Sequence, residues 1–218
     1  MATPLLLVVH GRAGGTVPAE VQQLASELGS RRNAPVGVQA LTAAPAERLQ
    51  DLFERPLPQA GALSLAPLML LPGGHVRADL PAIAEHWRRS EAPRPVQRLP
   101  FVGAWPVWQQ ALAAELAELQ AVSARRPLAP LLLHHPLEGA LASRYLVHLQ
   151  RVTGARCLAT AYSAEALATL QLTLPAPVLP LALAANRLTD QLADQLGPPL
   201  LQRARFRQVL LEQLEAVP

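Results

Sequence analysis

The sequence predicts an α/β protein of two similar lobes, each a four-stranded parallel sheet flanked by helices. Three observations predict it. Short apolar runs lack the alternation of a half-exposed strand and so read as strands covered on both faces. Stretches of a dozen or more residues with helical character separate them, which is what parallel strands need as crossovers. The order of elements then begins again past the middle of the 218-residue chain. The expected division is an N-terminal lobe at 1–123 and a degenerate C-terminal lobe at 124–218.

In the first lobe, "PLLLVV" (4–9) is the first strand and a helix follows from about Pro18 to Arg31. "VGVQALT" (36–42) is the second strand, with a helix from Pro45 to Phe53. "ALSLAPLMLL" (62–71) is the third strand, and a helix from about Leu80 to Arg89 leads to "VQRLPFV" (96–102). A long helix from Trp105 to Val122 closes the lobe.

The second lobe repeats the pattern. "PLAPLLLHHP" (127–136) is patterned like the opening strand, "GARCLATAY" reads as a buried second strand, and "APVLPLALAANRLTDQL" (176–192) parallels "LAPLMLLPGGHVRADLP". The register drifts: Pro67 to Pro180 is an offset of 113, and His10 to His135 one of 125, so loop lengths differ between the halves. "SARRPLAP" (123–130) is the expected linker, and an amphipathic helix, "PLLQRARFRQVLLEQLEAV", ends the chain.

Composition narrows the function. Half the residues are hydrophobic, enough for a sizeable core. No apolar run approaches a membrane span, and "MATPLLLVVHG" has too short an apolar stretch and no basic region for a signal peptide, so a soluble cytoplasmic protein is expected. The single cysteine, Cys157, excludes an internal disulfide framework and a cysteine-rich metal site. All 19 basic residues are arginine. Arginine suits carboxylates and phosphates, although abundant Ala, Leu, Pro and Arg also follow from GC-rich codons. The net charge of +3 is scattered, with no nucleic-acid stripe. There is no GxxxxGK[ST] and no strand-borne GxGxxG, so ATP and dinucleotide chemistry are unsupported. The chain also lacks GxSxG and HExxH.

Ligands of open parallel sheets bind beyond the carboxyl ends of the strands. His10 ends the first strand and His75 follows the third, so both imidazoles belong to that edge. Two neutral imidazoles suit a borderline divalent metal such as cobalt, nickel, iron or zinc. Gly11, Gly14, Gly15, Gly73 and Gly74 clear side chains around them, letting a bulky flat ligand approach the backbone. His86 and His148 lie within helices and are expected to pack or face solvent. His134 and His135 are adjacent on a strand, so at most one of them can reach such a site.

"LLLVVHG" (5–11), "APLMLLPGGHVRADLP" (66–81) and "LPFVGAWPVWQQALAAEL" (99–116) resemble, in order and spacing, the sirohydrochlorin chelatases, the cobalt- or iron-inserting class II chelatases. The second lobe looks like the C-terminal half of their long, two-lobed members. The resemblance implies a chelatase-like bilobal fold, a cleft between lobes for an anionic octacarboxylate tetrapyrrole, and no ATP or other cofactor. It implies that Co2+, Fe2+ or Ni2+ is a substrate, and that the chain is a monomer whose halves mimic a dimer of short chains. His10 and His75 match the histidines that bind metal and assist pyrrole deprotonation. Gly11, Gly73 and Gly74 would line the substrate, and Arg12 and Arg77 are candidates for its carboxylates, with plain solvation the alternative. Asp79 either orients His75 or caps the helix that follows. This chain departs from the family's HGSR with "HGRAGG" and has leucine at 188, where His75 would map. A non-catalytic tetrapyrrole- or metal-delivery protein descended from a chelatase is therefore the alternative function.

Overall fold

The computed structural model describes residues 2–59, 61–89, 94–122, 129–161, 163–173 and 177–218. Two parallel sheets form, one in each of two compact units: Met1–Val102 with Gln208–Pro218, and Gly103–Arg207. The expected boundary lies at 123–124. Contacts instead assign the helix after Val102 to the second unit, where the Tyr145 hydroxyl donates to Gly103 O at 2.6 Å. Most of the expected linker, 123–128, lies outside the described residues.

In the first unit the strands are β1 (Leu5–Val9), β2 (Val36–Ala40), β3 (Leu63–Pro67) and β4 (Val96–Arg98), in the order β2-β1-β3-β4. Every residue of β1 and β3 is buried, as strands covered on both faces require. Leu6, Val8, Leu63 and Leu65 pack with Leu80, Ala84 and Trp87 of α2 (Leu80–Arg89). Leu5, Leu7 and Val9 alternate to the opposite face. Helix α1 (Ala19–Arg32) ends with Asn33 in the left-handed conformation. The buried Arg32 guanidinium donates to Leu214 O at 2.7 Å, Val217 O at 2.6 Å and Thr3 O at 2.7 Å, tying both chain termini to this helix.

The expected helix at Pro45–Phe53 does not form. Only a 3-10 turn, Leu49–Leu52, occurs, because the chain turns back so that Phe53 bridges Gly37 in antiparallel fashion along the free edge of β2. A Cβ on Gly37 would lie 2.5 Å from Leu52 O, so only glycine admits this strap.

The second unit holds β5 (Leu131–His134), β6 (Arg156–Ala159) and β7 (Val178–Pro180) in the order β6-β5-β7. Its helices are α3 (Pro106–Ala121), α4 (Ala140–Thr153), α5 (Ala164–Thr173) and the short α6 (Arg187–Gln191) and α7 (Ala193–Leu196). The terminal helix α8 is Ala204–Glu215. Its sheet has three strands among the described residues rather than the four expected. After β7 the chain enters short helices, and the turn at Leu200–Gln202 gives its N–H groups to Ala182 O and Leu183 O without becoming a strand. Strand β6 was expected to be buried, but it is an edge strand and mostly exposed.

The repeat is visible in the hydrogen bonds. Leu68 N and Leu41 N donate to Val8 O and Val9 O, and in the second sheet Leu181 N and Thr160 N donate to Leu133 O and His134 O. His10 is therefore the topological counterpart of His135, and both sequence offsets recur.

Candidate active site

In the order β2-β1-β3-β4 the chain runs from β1 outward to β2, then back across β1 to β3. The strand order reverses between β1 and β3, and at such a switch point the loops leaving adjacent strands open a crevice. His10 is the first residue beyond β1, and His75 stands at the end of the loop beyond β3. Their ring centroids are 4.9 Å apart, nearly edge to face at 74°. The structure thus brings together the two imidazoles that the sequence singled out, and both are exposed.

The hydrogen bonds define their tautomers. His10 Nδ1 lies 3.0 Å from Gly11 O, and His75 Nδ1 lies 2.5 Å from Asp79 Oδ2. A carbonyl oxygen and a carboxylate only accept, so each Nδ1 carries a proton, and in the neutral ring the lone pair then sits on Nε2. Both histidines therefore offer a nitrogen that can take a metal ion or a proton. Among the described residues no set of three His, Cys, Asp or Glu side chains is arranged to hold a metal.

His75 begins a wide π-helical turn, His75–Asp79, continuous with α2. The helix was expected to start near Leu80. Pro81 has no N–H to give to Arg77 O, and the turn widens upstream so that Leu80 N bonds His75 O instead. Four residues apart on this turn, His75 and Asp79 face one another. Asp79 is thus inside the helical run and holds His75 rather than capping a helix. Arg77, on the same turn, is exposed, as is Arg12 in the loop after β1.

Gly11 is required where it stands. Its φ is +78°, and a Cβ there would fall 2.6 Å from Thr42 Oγ1 and 2.7 Å from Ala40 Cβ. Gly74 is different: its backbone is helical and nothing lies within 4 Å of a Cβ, so open space adjoins His75. Gly73 is partly buried, and its N–H donates to Leu71 O at 2.9 Å.

The other histidines make local contacts of their own. His134 is 2 % exposed, bonds His135 O through Nδ1 at 2.8 Å, and burial lowers its pKa. His135 is exposed with Nδ1 3.1 Å from Pro136 O, and the position corresponding to His75, Leu188, is fully buried. His86 meets Trp87 edge-on, and His148 Nε2 bonds Gln109 Oε1 at 3.0 Å. Burial pushes the Cys157 thiol up to about 11, so it is not a nucleophile at neutral pH. Thr42, which no sequence motif marks, hydrogen-bonds to both His10 and Arg12 in the loop after β1. No helix is long and apolar enough to cross a membrane among the described residues.

Comparison with known proteins bears on the fold and the family. Two of the solved structures that share the fold illustrate it. One is CbiX, described as the terminal enzyme for biosynthesis of siroheme in denitrifying bacteria: 21% identical, TM-score 0.60, 99% of each chain covered. The other is DR2241 from Deinococcus radiodurans, a multi-domain protein described as similar to chelatases with two additional novel domains: 16% identical, TM-score 0.58. The match covers 99% of this chain but spans only 55% of DR2241. No curated protein matches. The CbiX family model matches residues 4–119, more than half the chain and all of the segment that carries His10, His75 and Asp79. The chain belongs to the CbiX family, the sirohydrochlorin chelatases.

Proposed function

We propose that the chain catalyses ATP-independent insertion of Co2+ or Fe2+ into a sirohydrochlorin-type tetrapyrrole. The observation that carries this reading is the His10–His75 pair, with ring centroids 4.9 Å apart and each Nδ1 engaged by an acceptor. Insertion exchanges two pyrrole N–H protons for one divalent ion, so it needs donors that release the ion to the ring and a base that takes the protons. An Nε2 lone pair serves either role. Two protein ligands, rather than a closed set of four, favour loose holding and hand-over. Asp79 orients His75 through Nδ1. Arg12 and Arg77 pair with carboxylates of the macrocycle, and Gly11, Gly73 and Gly74 keep its edge close to the backbone. Ni2+ is the next ion in reach of such a donor set. In this reading the protein works in the cytoplasm as a monomer and needs no further cofactor.

The test is anaerobic incubation with sirohydrochlorin and Co2+ or Fe2+, following the absorbance change on metallation. Insertion faster than the protein-free rate supports the reading. Binding of the macrocycle without acceleration replaces it with delivery of tetrapyrrole or metal, and binding of neither removes both.

A further inference from the structure

Thr42 lies two residues beyond β2 and grips the loop after β1 at two points. Its main-chain N–H donates to His10 O at 3.2 Å, and its hydroxyl donates to Arg12 O at 2.6 Å. Between those residues, Gly11 runs so close that a Cβ would sit 2.6 Å from the Thr42 hydroxyl oxygen. The loop is closed from its own side by Arg12 N, which donates to Thr16 O at 2.8 Å. The main-chain bond continues the pattern in which Leu41 N donates to Val9 O. The hydroxyl bond is the part that depends on the side chain, and the β-branch of threonine limits the rotamers from which it forms.

We propose that Thr42 is a positioning residue of the metal site: its hydroxyl fixes the Arg12 carbonyl, and with it the turn that aims the His10 imidazole at His75. The proposal rests on the reading of His10 and His75 as the metal-contacting pair. Thr42 touches neither ion nor macrocycle and acts through the loop. A serine keeps the hydroxyl, whereas valine keeps the shape and removes the donor.

The experiment compares Thr42→Ser, Thr42→Val and Thr42→Ala by two readouts. The first is the ring resonances of His10 and His75, and the cross-relaxation between the two rings, in metal-free protein. The second is Co2+ affinity, together with kcat and KM for metallation. The expected result is that Thr42→Ser behaves as the parent. Thr42→Val and Thr42→Ala shift the His10 resonances, weaken the ring-to-ring signal, and bind Co2+ roughly two- to tenfold less tightly, the worth of one hydrogen bond. The loss falls mainly on kcat, with the thermal midpoint close to that of Thr42→Ser. Unchanged His10 signals in the valine and alanine variants overturn the proposal, and if valine fails to fold the alanine variant decides. A parent protein that neither binds Co2+ nor metallates the ring overturns the chelatase reading instead, and the metal-free resonances still decide the role of Thr42.

Discussion

Gly11 and Gly14 sit in the same loop with nearly the same φ, +78° and +73°, but in different surroundings. Alanine at Gly14 meets nothing within 4 Å, so it incurs only the left-handed conformation, about 1–2 kcal/mol, less a fraction of a kcal/mol regained from a stiffer unfolded chain. Alanine at Gly11 incurs the same amount and also contacts Thr42 Oγ1 at 2.6 Å and Ala40 Cβ at 2.7 Å. Both neighbours are short, so neither can swing aside. The loop or the end of β2 has to move, at about 1–3 kcal/mol more. Gly11→Ala is therefore expected to destabilise by about 2–4 kcal/mol and Gly14→Ala by about 1, measured by urea unfolding of both variants beside the parent. The Gly11 variant is also expected to lose metallation out of proportion to the fraction folded, because the displaced segment carries His10. Equal destabilisation of the two variants would refute the close-approach argument, and with it the reason for glycine after His10.

Replacement of Asp79 by asparagine keeps the shape and removes the charge that holds His75 Nδ1. Metallation is expected to fall about 10- to 100-fold with little change in thermal midpoint; full activity in a rate assay would show that the short contact has no chemical consequence. Burial raises the Cys157 pKa from its ordinary 9.0 to about 11, so the folded state holds the thiol proton longer than the unfolded state does. Stability is expected to fall as pH rises from about 9 toward 11, with no contribution from this group at neutral pH. The decline should be smaller in Cys157→Ala, and identical pH profiles for the two proteins would contradict the assignment. Leu188→His, which writes the second histidine into the second sheet's equivalent position, is expected to destabilise by about 2–4 kcal/mol rather than create a site, since Leu188 is fully buried. Denaturant unfolding and Co2+ titration of that variant check both halves of the statement.

The parts of the fold legible in the sequence are those set by local pattern. "LLLVV" and "LSLAP" have no polar alternation, and both are strands buried on two faces. His10 and His75 stood out because each follows a strand beside glycine, and strand ends of a parallel sheet share an edge. Most of what escaped depends on partners distant in sequence, the widened turn at His75–Asp79 being the local exception. The stretch 45–53 has helical composition, but bridging of Phe53 to the edge of β2 outweighs propensity. The widened turn at His75–Asp79 follows from the missing N–H of Pro81, and sequence periodicity placed the helix start five residues late. Thr42 carries no motif; its contact with the His10 loop arises from the β1–β2 register, in which Val9 pairs with Ala40. The exposure of β6 reflects its place at a sheet edge, which an apolar run does not announce.

In the proposed metal insertion His10 and His75 act together on one ion. This joint action is tested most directly by a double-mutant cycle on the anaerobic cobalt metallation rate, using His10→Ala, His75→Ala and the double variant. Each single change is expected to remove nearly all of the acceleration, with the double variant hardly slower than either, as for residues that work as a unit. Losses that multiply independently, or a single variant that keeps the parent rate, would contradict it.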